Sequence, residues 1–592
     1  MIDFERHARA RAGALLAGIL CIALPFLCDC ATPARRVVVT AQGRRLDDYL
    51  RRLAGFGYSG AVLVSVDGQV VLRKGYGEAD RERRLPVRPD TCFDIGSLSK
   101  WFTAAAVLRL EADGKLKVED RLASFVPGVP EDKRGITLHQ LLTHTAGVRG
   151  PDRGYREISK AEALREILNT PLAFAPGSDW AYSNAGYVLL AAVIESASGT
   201  SYREFMRRTV FPAAGLRSTG FWGRDGIVVS ACRPARGYDE LGPVTDLERL
   251  SGDTWNDIGS GQIVSTVEDL VRWQESLVAG RIIPDAQLKR MFTSVRREEP
   301  SDDYYNRSYG YGVWAQTLAD GTSRIQHGGD FLGFGSQLTW LPERRIVIAS
   351  LCNVRNDLYP VHRRADRALT RMLTGADVPE PPRFVELPAE QTARFLGTYR
   401  LAGGDTLTID RDRQGLTVGA RGPESTLLLD GHFDQAEQFR AIGETTARLV
   451  TALLHGDTTG LAAVGLGDRE AQAEILEELA TLRAGRGAFK RASAVGAYVG
   501  GLLGKSVDAL VVLEFEGGES HYMWQWDGAH VIGTTTRCPR LAATTRVQAR
   551  SSRELVGWNV VTTREFRMRF SDDGSAVVVT SGDRTATAQR VP

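Results

Sequence analysis

Two strand-like apolar runs stand in "YSGAVLVSVDGQVVLRKGYG", separated by the polar step Asp67-Gly68. An Asp-Gly step between two such runs predicts a β-hairpin. The next apolar block, "FDIGSLSKWFTAAAVLRL", has a helical rather than a strand-like texture from about Ser97 onward. Helical spacing recurs at Ser159–Leu168, Tyr187–Ser196 and Val267–Leu277, and strand-like runs return in "GYGVWAQTL", "SQLTWLP" and "RIVIASLCN". Strands thus stand at both ends of a mostly helical region. That order predicts an α+β fold in which distant strands close one antiparallel sheet flanked by helices.

The pattern changes after "DVPEPPRFVELP", Asp377 to Pro388, whose prolines cannot continue a helix and favour extended chain. Beyond this linker, Leu396–Gly419 alternates like a β-meander, Glu444–Leu482 is helical in period, and strands return from about Ala494 to the C-terminus. No tandem repeat or low-complexity tail interrupts the series.

Composition narrows the reading only in places. At 592 residues the chain is too long for a single core, and about four domains is the length-based expectation. With 43% hydrophobic and 25% charged residues it has the make-up of a folded globular protein. A formal net charge of +2, without basic runs interleaved with aromatics, argues against a nucleic-acid partner. Of 74 Lys plus Arg, only nine are lysine, so the chain uses arginine wherever charge alone is wanted. A lysine at a special position then points to something arginine cannot do, such as losing its proton.

At the N-terminus, Arg6, His7, Arg9 and Arg11 precede the apolar run Ala14–Leu27, with small residues at Ala31–Ala34. The run is short for a membrane span and matches a secretory signal better, so residues 1–34 are expected to be a signal peptide or N-terminal anchor. Cys28 and Cys30 lack the small residues of a lipobox. The expected location is therefore exported, periplasmic or secreted, with any membrane association confined to this segment. The other four cysteines, Cys92, Cys232, Cys352 and Cys538, have no metal-type spacing, and their spacing leaves disulfides undecided.

Ser97 and Lys100 are the residues that carry chemistry. Three apart, they share one face of a helix, and Gly96 lets the backbone turn tightly before the serine. A serine hydroxyl needs a base, and a lysine amine serves once desolvation lowers its pKa. Alone, S-x-x-K also describes an N-cap serine with a surface lysine. His144, in "LLTHTAG", reads as a turn-stabilising histidine, and no HExxH or Cys/His cluster indicates a metal. No G-x-S-x-G nucleophile elbow is present.

The segments "FDIGSLSKWFTAAAV", "LLTHTAG", "FAPGSDWAYSNAGYVLL", "GSGQIVSTVEDLVRW", "YGYGVW" and "IQHGGDFLGFGS" together resemble the serine β-lactamase and DD-peptidase superfamily. The likeness is to its class C-like branch of esterases and D-aminopeptidases, and it spans residues 45–375. It implies Ser97 as acylated nucleophile, Lys100 as its base, Tyr182 as proton shuttle to the leaving group and Asn184 as a ligand of substrate and Lys100. His327-Gly328-Gly329 matches the Lys-Thr-Gly strand with histidine in place of lysine, and the backbone N–H groups of Ser97 and Asp330 would form the oxyanion hole. Histidine, with an unperturbed pKa near 6.5, is mostly neutral at pH 7 to 8, so His327 can still hydrogen-bond Tyr182 but offers little attraction to a substrate carboxylate. The counter-case is a nearby carboxylate, Asp330, that would keep it protonated. After the 376–388 linker, residues 389–442 resemble a small β, lipocalin-like module, and 443–592 a helix-plus-sheet, NTF2-like module.

The function this implies is an exported serine hydrolase acting through an acyl-enzyme on esters or amides, D-amino-acid peptides included. It would act on a small-molecule or peptide substrate and need no cofactor. The alternatives are a β-lactamase or cell-wall DD-peptidase, and a non-catalytic penicillin-recognising scaffold.

Overall fold

The structure is a computed structural model describing residues 37–38, 40–150, 157–222, 232–239, 242–244, 254–292, 297–298, 306–354, 361–430, 435–467, 469–500, 506–535, 544–559 and 563–592. The expected targeting segment, 1–34, lies outside the described residues. Helix α1 (Ala41–Gly55) leads into strands β1 (Gly60–Val66), β2 (Gln69–Tyr76) and β3 (Thr91–Asp94), then helices α2 (Ser99–Ala112) and α3 (Asn184–Ser198). There follow β4 (Ile263–Ser265), β5 (Trp314–Thr317), β6 (Ser323–Phe331), β7 (Phe334–Leu341), β8 (Ile346–Cys352) and helix α4 (Val361–Thr374).

The β1–β2 hairpin forms where expected, with Asp67 at φ 52 and Gly68 at φ 75. Both values are positive, as the right-handed twist of a two-residue hairpin requires. β1 pairs along its whole length with β8, 280 or more residues away in sequence, so distant strands do close one nine-stranded antiparallel sheet. Side chains alternate across it. Ala61 and Leu63 enter the core shared with α2 and α3, while Val62 and Val64 enter the core shared with α1 and α4. α2 is apolar on every side and buried from Ser99 to Leu108, the signature of a central helix. Phe102 on it stacks on Trp273 at 3.9 Å. The α+β layer architecture expected from the pattern is the one observed.

Beyond α4 the arrangement differs from the expected sequence of two modules. Strands β9 (Gly397–Leu401), β10 (Thr406–Asp412) and β11 (Gly415–Arg421) are followed by helices α5 (Pro423–Asp430), α6 (Ala436–Leu454) and α7 (Arg469–Arg483). A sheet of β12 (Phe489–Gly500), β13 (Ser506–Phe515), β14 (Gly518–Asp527) and β15 (His530–Thr535) comes next. The chain ends in β16 (Thr544–Ser551), β17 (Glu554–Asn559), β18 (Arg564–Phe570), β19 (Ala576–Ser581) and β20 (Arg584–Arg590). β9, β10 and β11 join β16 to β20 in one closed eight-stranded barrel, sealed by β9 against β20. The helix-plus-sheet unit is inserted between β11 and β16, so the expected division at 442/443 does not separate two modules. Burial decides the strand faces: Phe566, Met568 and Phe570 point into the barrel and Arg567 and Arg569 out. Side chains fill the interior, as eight strands permit.

Nor is 376–388 a free tether. Arg52 donates to the Pro381 carbonyl at 2.5 Å and pairs with Glu380, Phe384 packs edge-on against Phe56 at 5.8 Å, and Val385 N–H donates to Ala549 O at 2.8 Å. The prolines hold it extended, and that extended edge is what docks.

Candidate active site

The site is built around a tight turn. Gly96, at φ 48, turns the chain out of β3 into a 3₁₀ turn, Gly96–Leu98, so the α-helix itself starts at Ser99 rather than at the serine expected to begin it. Asp94 fixes this turn: its carboxylate accepts the Gly96 N–H at 2.7 Å and the Trp222 indole N–H at 3.1 Å. Burial pushes the Asp94 carboxyl up to about 7, opposed by those two hydrogen bonds.

Lys100 follows one turn on, with no exposed surface. Its Nζ lies 3.1 Å from Ser97 Oγ, 2.7 Å from Asn184 Oδ1 and 3.0 Å from the Ser260 carbonyl. The contrast with the other buried lysines is informative. Lys74 is paired with Asp47 and Lys133 with Asp132, whereas the hydrogen-bond partners of Lys100 are a hydroxyl, an amide oxygen and a carbonyl. Without a carboxylate at hydrogen-bond distance, desolvation dominates, and it lowers the Lys100 pKa from 10.5 to about 7, with Asp257 pulling weakly the other way. The buried amine is therefore substantially neutral at pH 7 to 8.

Tyr182 and Asn184 flank Ser183, the N-cap of α3, whose Oγ accepts the Gly186 N–H. This cap holds Asn184 toward Lys100. Tyr182 keeps 40% of its surface exposed, and its ring stands 4.7 Å from Lys100 Nζ. Burial of the phenol raises its pKa, and a hydrogen bond with Ser97 opposes the shift. Of the two groups beside the serine hydroxyl, then, the amine reaches its base form near neutrality and the phenol stays protonated.

The fourth wall is β6. β5 pairs only with Ser323–Gln326, so beyond Gln326 that edge of β6 is uncovered by β5 and packs on the nucleophile turn. The approach is close enough to demand glycine on both sides. A Cβ on Gly329 would lie 2.0 Å from Ile95 O and 2.7 Å from Ser97 N, and one on Gly96 would lie 2.9 Å from Asp330 N. Ser336 on β7 ties the two together by donating to Ile95 O at 2.7 Å. The N–H groups of Ser97 and Asp330 are thus carried by two segments in direct backbone contact. A Cβ on Gly328 would meet Gln337 Oε1 at 2.4 Å.

His327 is buried beside this edge. Its Nδ1 is 2.6 Å from Gly328 O, and its Nε2 is 3.2 Å from the Tyr309 hydroxyl, while the Tyr182 ring centroid is 6.4 Å from its own. The expected bond to Tyr182 is thus replaced by one to Tyr309. Nδ1–H donates to the carbonyl, and Nε2 shares a hydrogen bond with the tyrosine hydroxyl. The counter-case of a carboxylate that keeps His327 protonated is not met by Asp330. Three residues along a strand it points to the opposite face, where it pairs with Arg363 and lies 3.3 Å from His362 Nε2.

All eight residues singled out in the sequence therefore meet here: Ser97, Lys100, Tyr182, Asn184, His327, Gly328, Gly329 and Asp330. The reading missed Asp94, two residues before Gly96, and also the Ser260 carbonyl and Tyr309, whose contacts with the site arise only in three dimensions. It also left open Cys92–Cys232, which forms a disulfide joining β3 to the strand Arg233–Pro234. Among the described residues no cluster of three or more His, Cys, Asp or Glu is placed to hold a metal ion.

Comparison with known proteins shows the family and the fold. The family model described as Beta-lactamase matches residues 47–371. Penicillin-binding protein 4* of Bacillus subtilis is 28% identical over 393 residues, 62% of this chain and 84% of that protein. A D-aminopeptidase of Gluconobacter oxydans is 26% identical over 367 residues, 58% of this chain and 63% of that protein. Among solved structures, the octameric penicillin-binding protein homologue from Pyrococcus abyssi shares the fold at TM-score 0.51 and 18% identity, covering 92% of this chain and 99% of that one.

Proposed function

Because the chain belongs to the beta-lactamase family of serine hydrolases, we propose that it is an exported enzyme that cleaves esters or uncharged amides, D-amino-acid peptides among them, through an acyl-enzyme on Ser97. The observation that carries the reading is the buried Lys100 amine, 3.1 Å from Ser97 Oγ and without a carboxylate at hydrogen-bond distance. In its neutral form Lys100 takes the Ser97 proton as Oγ attacks the substrate carbonyl. Negative charge then develops on the carbonyl oxygen, between the N–H groups of Ser97 and Asp330. Such preorganised donors are commonly worth about 3 kcal/mol each. The Tyr182 phenol donates its proton to the departing alcohol or amine and is reprotonated from the lysine ammonium. Asn184 orients Lys100 and the substrate amide. Water then attacks the acyl-enzyme along the same proton route in reverse, releasing the acid and restoring Ser97.

The preference for esters and uncharged amides rests on position 327. An imidazole engaged by Gly328 O and the Tyr309 hydroxyl offers a substrate carboxylate less attraction than the lysine ammonium it stands in for. A β-lactamase or DD-peptidase activity draws on Arg363, a cation near enough to act electrostatically on Tyr182, although Asp330 neutralises it. Comparing kcat/KM for a short-chain p-nitrophenyl ester and for nitrocefin, in wild type and His327→Lys, decides between them. Export is supported by the Cys92–Cys232 disulfide, which persists in oxidising compartments. The first experiment is labelling by a fluorophosphonate probe: wild type should label and Ser97→Ala should not. A folded wild type that resists labelling would favour a binding or scaffold protein.

A further inference from the structure

His144 holds more of the site than its place in a turn suggests. It is 2% exposed and sits at φ 62, a left-handed conformation that non-glycine residues seldom adopt. The segment leading to Tyr182 is laced onto the turn that carries it: Ala173 N–H donates to Gly147 O at 2.8 Å and Gly177 N–H to Thr145 O at 2.7 Å. The last two bonds of this series both go to His144. Ala181 N–H donates to its carbonyl at 3.1 Å, and Ser183 N–H to its Nδ1, also at 3.1 Å. One residue therefore grips the backbone immediately before and immediately after Tyr182.

The ring is placed as well. Its centroid is 4.4 Å from that of Tyr182, 4.7 Å from Tyr309 and 5.2 Å from Tyr187, so Tyr182 packs against the imidazole with the rings tilted by 43°. An Nδ1 that accepts a backbone N–H carries no proton of its own, which fixes the tautomer with hydrogen on Nε2. Burial, and the nearby Lys100 and His327, both disfavour a second proton. The grip is thus held by a neutral ring.

We propose that His144 is a positioning residue for the leaving-group proton transfer: through its carbonyl and Nδ1 it clamps the backbone on either side of Tyr182 and sets the phenol against Ser97. This rests on the acyl-enzyme reading above. It goes beyond turn stabilisation because it ties His144 to one chemical step. A loosened Tyr182 harms departure of a basic leaving group and leaves departure of an acidic phenol, which needs no proton, nearly untouched.

The test compares ethyl and p-nitrophenyl esters of one acid in wild type, His144→Leu and His144→Asn. Asparagine tolerates positive φ, and its Oδ1 can stand where Nδ1 stands. His144→Leu should lose about 100-fold in kcat/KM on the ethyl ester and no more than about 3-fold on the p-nitrophenyl ester, and His144→Asn should recover most of the loss. In a Tyr182→Phe background, His144→Leu should cost the ethyl ester almost nothing further. Equal losses on both esters, or full additivity with Tyr182→Phe, would overturn the proposal in favour of a purely structural residue. If the leucine variant does not fold, His144→Gly, which adopts φ 62 without strain and removes only the ring, takes its place: a selective loss on the ethyl ester supports the clamp, and equal losses or none overturn it. Fluorophosphonate labelling in parallel separates this from failure of the acyl-enzyme reading, which would show as an unlabelled wild type.

Discussion

At the residue scale, Lys100 is the point where stability and chemistry oppose each other. Its pKa falls from 10.5 to about 7 on folding, so the folded state releases a proton that the unfolded chain keeps. By linkage, stability is lost as pH falls from 10.5 toward 7, and the full cost is present below 7. Lys100→Met should therefore be more stable than wild type near neutral pH, by a few kcal/mol less the lost hydrogen bonds, with the gain shrinking toward pH 10. Catalysis follows the same proton: kcat/KM for an ester should rise with pH along a limb centred near 7, as the amine becomes neutral. Lys100→Arg should lose at least about 1,000-fold and show no such limb, since a guanidinium stays charged. A Lys100→Arg enzyme with a wild-type profile would remove Lys100 from the role of base. Much at this scale was legible, because Ser97, Lys100, Tyr182 and Asn184 stand in short motifs whose spacing already places them. The Ser260 carbonyl was not, since it meets Lys100 across 160 residues and any residue type supplies a carbonyl.

At the scale of elements, short-range patterns translated directly and long-range pairings did not. The Asp67-Gly68 hairpin and the all-apolar α2 follow from local periodicity alone. The neighbour of β3 does not: Thr91 and Cys92 pair with Arg233 and Pro234, two residues of weak strand character, and the disulfide fastens that pairing. Cys92 and Cys232 close a loop of 140 residues, a length at which the chain-entropy model gives about 5 kcal/mol. The nucleophile turn has its own supports, from Asp94 and from the Ser336 bond to Ile95 O. Paired Cys92→Ser and Cys232→Ser substitution should therefore lower Tm by roughly 5–15 °C while leaving ester turnover at 25 °C within about 3-fold of wild type. Scanning calorimetry with matched kinetics checks both halves. A large loss of turnover at unchanged Tm would show that the bridge sets site geometry instead of stability.

At the scale of the whole molecule, alternation identifies a strand but never its partner. β11 and β16 read alike as half-buried strands, and nothing in their sequence says that 122 residues of helix and sheet separate two neighbours in one barrel. The same limit hid the docking of the barrel on the hydrolase domain. Val556 and Trp558, on β17, belong to the same buried cluster as Leu46, Tyr49, Leu50, Leu53 and Phe56 of the α1 region, and Gln548 Nε2 donates to Gly55 O at 2.5 Å. The linker residue Phe384 packs against this cluster. A chain ending at Thr374 would expose that apolar face of α1, so the hydrolase domain is not expected to behave as an independent unit. Trp558 is 5% exposed, and replacing a buried tryptophan by alanine costs about 3–5 kcal/mol. Trp558→Ala in the full chain should show that loss in chemical denaturation with fluorophosphonate labelling and ester kcat unchanged, because the residue lies on the far face of the sheet from Ser97. The truncated chain should lose at least as much and aggregate at concentrations where the full chain is soluble. A soluble truncated domain as stable as the intact protein would mean that the barrel merely rests on α1.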